Sequence, residues 1–150
     1  MEPSDVRTRV QRDHAALRTT LDQLELLARE VLDGAPGLRE RLRDLGETLL
    51  ESLERHMAWE DEHLAPVLRE ADAWGKEREE LLRRDHVEQR QVLRYVLEKI
   101  RDAERPVALV ARNLLDFSMM LRNEMTQEEQ TLLDPNGMRD ETVGVELEAG

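Results

Sequence analysis

The 150-residue sequence contains no cysteine, so disulfides, iron–sulfur clusters and thiolate zinc sites are excluded, and any metal it holds must sit among nitrogen and oxygen donors. Aromatic residues make up 3%, and glycine and proline are few at 7 and 5, which leaves little material for a β-sheet protein. No stretch nears the roughly 20 apolar residues that span a bilayer. The first ten residues carry acids and no apolar run, so neither a secretory leader nor a membrane partner is expected, and the reading points to the cytoplasm. Positive charge is outnumbered as well. With 34 acidic against 22 basic residues the net charge is -12, a surface that repels phosphate backbones and argues against nucleic acid as a partner.

Leu, Arg, Glu and Ala dominate what is there, a balance that favours helix, and the length suits one domain with one core. Punctuation residues divide the chain into four helices. Ser4 and Asp5 are N-cap candidates for the first, which runs to about Asp33, and Asp33-Gly34-Ala35-Pro36-Gly37 is a turn. The second runs from Leu38 to about Ala71, with Pro66 expected to kink or loosen its end. After a turn at Asp72 to Gly75, the third runs from Lys76 to about Ala103. Pro106 then stands where an N1 proline would open the fourth, which reaches about Leu133. Asp134-Pro135-Asn136-Gly137 ends it. Four helices of similar length with short connections predict an all-α, antiparallel, up-down-up-down four-helix bundle over residues 1–135, followed by a loose acidic tail over 136–150.

Each helix shows one apolar stripe. The first reads Val6, Val10, His14, Leu17, Leu21, Leu24, Ala28, Val31, in steps of three and four. The second reads Leu38, Leu42, Leu45, Leu49, Leu53, His56, Glu60, His63, Val67; the third Leu82, His86, Leu93, Val96, Ile100. The fourth reads Val107, Val110, Leu114, Phe117, Leu121, Glu124, Glu128, Leu132. Every helix therefore carries polar residues on the seam it must bury. His14 and His56 stand equally far from the first turn, while His86 with Glu124, and Glu60 with His86, match across the other two connections to within a residue. At about 1.5 Å of rise per residue, His14, His56, Glu60, His86, Glu124 and Glu128 share one slab of the bundle.

A weak internal repeat supports this register. Gln11-Arg12-Asp13-His14 is echoed by Arg83-Arg84-Asp85-His86, and His56-x-x-x-Glu60-Asp61 by Glu124-x-x-x-Glu128-Glu129. Each half thus offers one His and an i, i+4 pair that shares a helix face. Taken singly, a His on an apolar stripe is more often a hydrogen-bonded core residue than a ligand, and an i, i+4 acidic pair is usually solvated. Taken together, three imidazoles and three carboxylates at one level of a core leave buried charges uncompensated at several kcal/mol each. Two divalent cations remove that cost, and this donor mixture suits iron, or manganese, better than calcium or magnesium.

A His on the first helix, H-x-x-x-E on the second, a His on the third and x-x-x-E-E on the fourth resemble the hemerythrin-like, or HHE cation-binding, family over about Asp5 to Pro135. The resemblance implies a bundle around two iron ions joined by an oxo or hydroxo bridge, serving in O2 binding, oxygen or iron sensing, or redox and peroxide chemistry. It implies His14, His56 and His86 as terminal ligands and Glu60 and Glu128 as bridging carboxylates. Where the family has a His opening the fourth-helix motif, this chain has Glu124. Leu82 and Arg90, four residues either side of His86, cannot supply the family's second third-helix His.

An anionic oxygen donor in place of an imidazole stabilises the ferric state and lowers the reduction potential. That moves the expectation from reversible O2 carriage toward oxidation with O2 or peroxide, which calls for an electron donor and leaves room for a small-molecule substrate. A non-catalytic O2 or iron sensor or carrier, and a structural bundle without metal, are the competing readings. No catalytic residue beyond the ligands is legible. His63, on the same face as His56, reads either as a hydrogen-bond partner behind the ligands or channel lining, or as a partly exposed His. Asp61, Glu62 and Glu129 read as solvated acids, and Asp13 and Asp85 as surface charges, because adjacent helical positions diverge by about 100°. Trp59, Trp74 and Tyr95 read as amphipathic packing at helix interfaces.

Overall fold

The computed structural model describes residues 1–134 together with Met138 and Asp140. Four helices account for almost all of it: α1 Pro3–Leu32, α2 Arg39–Ala71, α3 Gly75–Arg101 and α4 Val107–Thr131. The stripes of the sequence explain why they assemble. Each helix buries its apolar seam against its neighbours, and the short connections force adjacent helices to run antiparallel, giving the expected up-down-up-down bundle.

The ends differ from expectation in detail. α1 begins at Pro3, whose missing N–H costs nothing in a first turn, so Ser4 lies inside the helix and Glu2 takes the N-cap position. Ser4 instead donates from both its backbone N–H and its hydroxyl to Asp140, each at 2.9 Å. Pro106 is the N-cap of α4 rather than its first helical residue. α2 continues through Pro66 to Ala71. Gly34 and Gly37 adopt φ of +94° and +73° in the first turn, a left-handed backbone that L side chains resist. At Gly75 the constraint is space, since a Cβ there would collide with the carbonyl oxygens of Leu68 and Arg69.

The core is split in two. On one side of the polar slab lies a large cluster from Leu17 to Val31, Leu42 to Met57, Leu93 to Ile100 and Val110 to Met125. On the other lies a smaller one built from Val6, Val10, Leu64, Ala65, Leu68, Leu82, Leu132, Leu133 and Met138. Met138 is 2% exposed, so the segment expected to be a loose tail contributes a core side chain at its start. Pro135 to Gly137, Arg139 and 141–150, including most of the expected tail and its turn, lie outside the described residues.

The α2 seam also departs from the expected stripe. Beyond Glu60 the buried positions are Leu64, Ala65 and Leu68, whereas His63 and Val67 are only partly covered. Continuing from Glu60 in steps of four keeps the stripe facing the core, and His63 falls to its flank.

Candidate metal centre

The polar slab between the two apolar clusters is filled from all four helices: α1 brings His14, α2 His56 and Glu60, α3 His86, and α4 Glu124 and Glu128. His14, Glu60 and His86 are each 1% exposed and His56 7%. Among the described residues, ligand-capable atoms of His14, His56, Glu60 and Glu128 all lie within 4.8 Å of one another. His86 joins them through Glu60, its Nε2 lying 3.1 Å from Oε1.

Distances within the group are short, yet several atoms remain unused. His56 Nε2 is 3.2 Å from Glu60 Oε1, and His14 Nε2 is 3.3 Å from Glu128 Oε1. Even so, His56 Nε2, Glu60 Oε2, Glu124 Oε2 and Glu128 Oε1 are buried without a hydrogen-bond partner. Each orphaned group costs roughly 1–3 kcal/mol. These are the donor types that an iron or manganese ion takes, so the residues present fit a metal.

The electrostatics agree. Burial pushes the Glu60 carboxyl up, but hydrogen bonding from Glu128, His56 and His86 outweighs it and holds Glu60 well below the usual carboxylate range. Glu128 is pushed well above that range by burial and then by the Glu60 charge. Burial drives His14 below its ordinary value. His56 and His86 feel the same burial, but their bonds to Glu60 carry them above it.

Behind the inward-facing donors stands an arrangement the sequence reading missed. Nδ1 of His14 bonds Glu129 at 2.7 Å, Nδ1 of His56 bonds Asp13 at 3.1 Å, and Nδ1 of His86 bonds Asp61 at 2.6 Å. Each carboxylate is held in turn by an arginine. Arg18 grips Glu129 with two bonds of 2.8 and 2.9 Å, Arg9 reaches Asp13 at 3.1 Å, and Arg90 reaches Asp61 at 2.9 Å. Such outer carboxylates orient imidazole ligands and raise their basicity. Asp13, Asp61 and Glu129 are therefore not the free surface charges they were expected to be. The 100° step that turns Asp13 away from His14 aims it along the α1/α2 seam, at the outer nitrogen of His56. Asp61 and Glu129, each following a core Glu, turn toward His86 on α3 and His14 on α1 in the same way.

The halves correspond beyond the motifs. His14 and Arg18 on α1 match His86 and Arg90 on α3, while Glu60-Asp61 on α2 matches Glu128-Glu129 on α4. By this relation Glu124 is the counterpart of His56, and Asp85 that of Asp13. The fourth outer pair is thus carboxylate facing carboxylate. Glu124 stands outside the compact set, toward α3, where Gln89 hydrogen-bonds it; burial and then Asp85 and Glu88 push its carboxyl up to about 7. His63 is also apart from the donors, stacked on Trp59 at 4.7 Å and 3.8 Å from Glu62. Trp74 and Tyr95 are largely exposed, so neither packs at a helix interface as expected.

A family model for the hemerythrin HHE cation-binding domain matches residues 5–134. The chain belongs to that family. A hemerythrin HHE domain is a cation-binding module, typically for iron, and the His and Glu donors gathered here make a candidate site of that kind. No curated protein and no solved structure matches the chain. Among the described residues, no helix of this hemerythrin-family bundle is long and apolar enough to cross a membrane.

Proposed function

We propose that the chain is a cytoplasmic non-heme di-iron protein that binds or activates O2 or peroxide in an oxidative role. The observation that carries this reading is a set of buried donor atoms that find no hydrogen-bond partner: on His56, Glu60 and Glu128 of the compact group, and on Glu124 apart from it. His14, His56, Glu60, His86, Glu124 and Glu128 would hold the two ions, joined by a hydroxo or oxo group. Manganese suits the same donors. Two such ions supply one-electron redox steps and Lewis acidity. The chain's own part is to fix the imidazoles through Asp13, Asp61 and Glu129 and to exclude bulk water with the two apolar clusters.

Glu124 favours oxidation chemistry over reversible carriage, because an anionic donor stabilises the ferric state. Non-catalytic O2 or iron sensing is the second reading. Metal analysis of untagged protein tests the proposal: about two irons per chain is expected, and absence of both iron and manganese overturns it. Mixing the reduced protein with O2 then separates the readings. Rapid irreversible oxidation supports an enzyme, whereas a stable, reversible adduct spectrum supports a carrier or sensor.

A further inference from the structure

A cleft of about 400 Å³ lies between α1 and α2, on the outer side of His56. Helical spacing builds it. Arg9, Asp13, Ala16, Leu17 and Thr20 line up along one face of α1, and Ser52, Arg55, His56 and Trp59 along one face of α2. At 1.5 Å of rise per residue the α1 wall runs for about 16 Å, and the volume lies within the range of small-molecule sites.

Its chemistry runs against that of the whole protein. In a chain of net charge -12, two guanidiniums and one carboxylate face this cleft. The guanidiniums differ in their commitments. Arg9 is engaged twice, bonded to Asp13 at 3.1 Å and lying 4.9 Å over the Trp59 ring. Arg55 touches the Ser52 hydroxyl at 3.3 Å, and among the described residues no carboxylate pairs with it. Between them Leu17, Ala16 and the Trp59 ring give an apolar wall, and the hydroxyls of Thr20 and Ser52 stand at the rim. Thr20 donates to its own helix at the Ala16 carbonyl, 3.3 Å away.

We propose that this cleft binds a small organic carboxylate with an aromatic or branched apolar body. Its anionic end pairs with Arg55, whose planar fork matches a carboxylate in two parallel hydrogen bonds, and its body lies against Leu17 and Trp59. The site is on the Nδ1 side of His56, behind the cluster of donors, so the ligand occupies no coordination position. It does meet the chain of bonds that orients His56, because a carboxylate at this wall competes with Asp13 for Arg9. The inference is independent of whether the centre holds metal.

The test uses the full chain, metal-free and metal-loaded, titrated with benzoate, its neutral isostere benzamide and inorganic phosphate. Binding is followed by calorimetry and by the indole N–H resonances of Trp59 and Trp74. Saturable benzoate binding that shifts Trp59 and spares Trp74 is expected in both forms, with benzamide and phosphate each weaker by about tenfold or more. Arg55→Gln, at an exposed position that leaves the core intact, should weaken benzoate by about tenfold, while Arg112→Gln on α4, with the same change in charge, should not. Four results overturn the proposal: equal binding of benzamide, equal binding of phosphate, benzoate binding confined to the metal-loaded form, or equal effects of the two substitutions. Metal content measured on the same samples keeps this outcome separate from the fate of the proposed di-iron centre.

Discussion

Nδ1 of His56 donates to the Asp13 carboxylate on the neighbouring helix, 3.1 Å away, and Asp13 is in turn held by Arg9. The bond fixes which nitrogen of His56 faces the centre. Asp13→Ala should therefore leave the donor in place but free to rotate, and lower metal affinity by about 10–100-fold, with Asp61→Ala and Glu129→Ala acting alike through His86 and His14. Competition with a calibrated chelator measures this; affinities equal to the parent for all three would show that the outer carboxylates do no positioning.

His56→Ala removes a member of the compact four-donor set, whereas His86→Ala removes the donor that reaches the set only through Glu60. Each should cost at least one metal, and His56→Ala should cost more. Elemental analysis of both variants decides, and unchanged metal in both would refute the assignment. Chelation of the parent should also lower its melting temperature at neutral pH by several degrees, because Glu60 and Glu128 are left facing each other in the core. A melting temperature indifferent to chelator would count against a metal that stabilises the fold.

The metal-free chain should lose stability as pH rises, in part through Glu124. Its carboxyl is pushed up from 4.5 to about 7 by burial and then by Asp85 and Glu88, so the folded chain holds this proton more tightly than the unfolded one. The contribution is complete below the unfolded value and is lost as pH climbs through about 7. Since the side chain is only half-buried, the effect comes to about 1 kcal/mol. Glu128, His56 and His86 act in the same direction, so the comparison that isolates Glu124 is parent against Glu124→Gln across that window. Parallel pH profiles would remove Glu124 from the account.

Glu124→His places an imidazole at the pseudo-twofold counterpart of His56, and supplies Asp85 with the partner that Asp13 already has. The variant should keep two metals, show a higher reduction potential and form a longer-lived adduct with O2, while Glu124→Ala should loosen one metal. Potentiometry with stopped-flow spectroscopy reads both. A potential unmoved by Glu124→His would mean that this carboxylate is not a ligand.

Much of this was legible in the sequence, because helix periodicity is a one-dimensional signal. All eight positions of the first stripe, Val6 to Val31, are buried, and the polar exceptions His14, His56, Glu60 and His86 are buried as expected. The misses follow from relations between helices. Asp13 looked like a surface charge when only its own helix was considered, since its partner His56 belongs to another. Glu124 matched the register yet faces α3, because in-plane direction depends on how far each helix is rotated about its axis. Met138 was hidden by its acidic surroundings, although it closes the smaller apolar cluster.

Arg9, Arg18 and Arg90 end the three imidazole–carboxylate chains, and all three guanidiniums are partly open to water, with side-chain exposures of 44%, 32% and 27%. Each chain therefore crosses a dielectric gradient, from a nearly dry nitrogen to a solvated cation. Dissolved ions, acting over a screening length of about 8 Å at physiological strength, reach the arginine end and leave the inner end alone. Raising the ionic strength should therefore loosen the arginine–carboxylate pairs first and the imidazole–carboxylate bonds least.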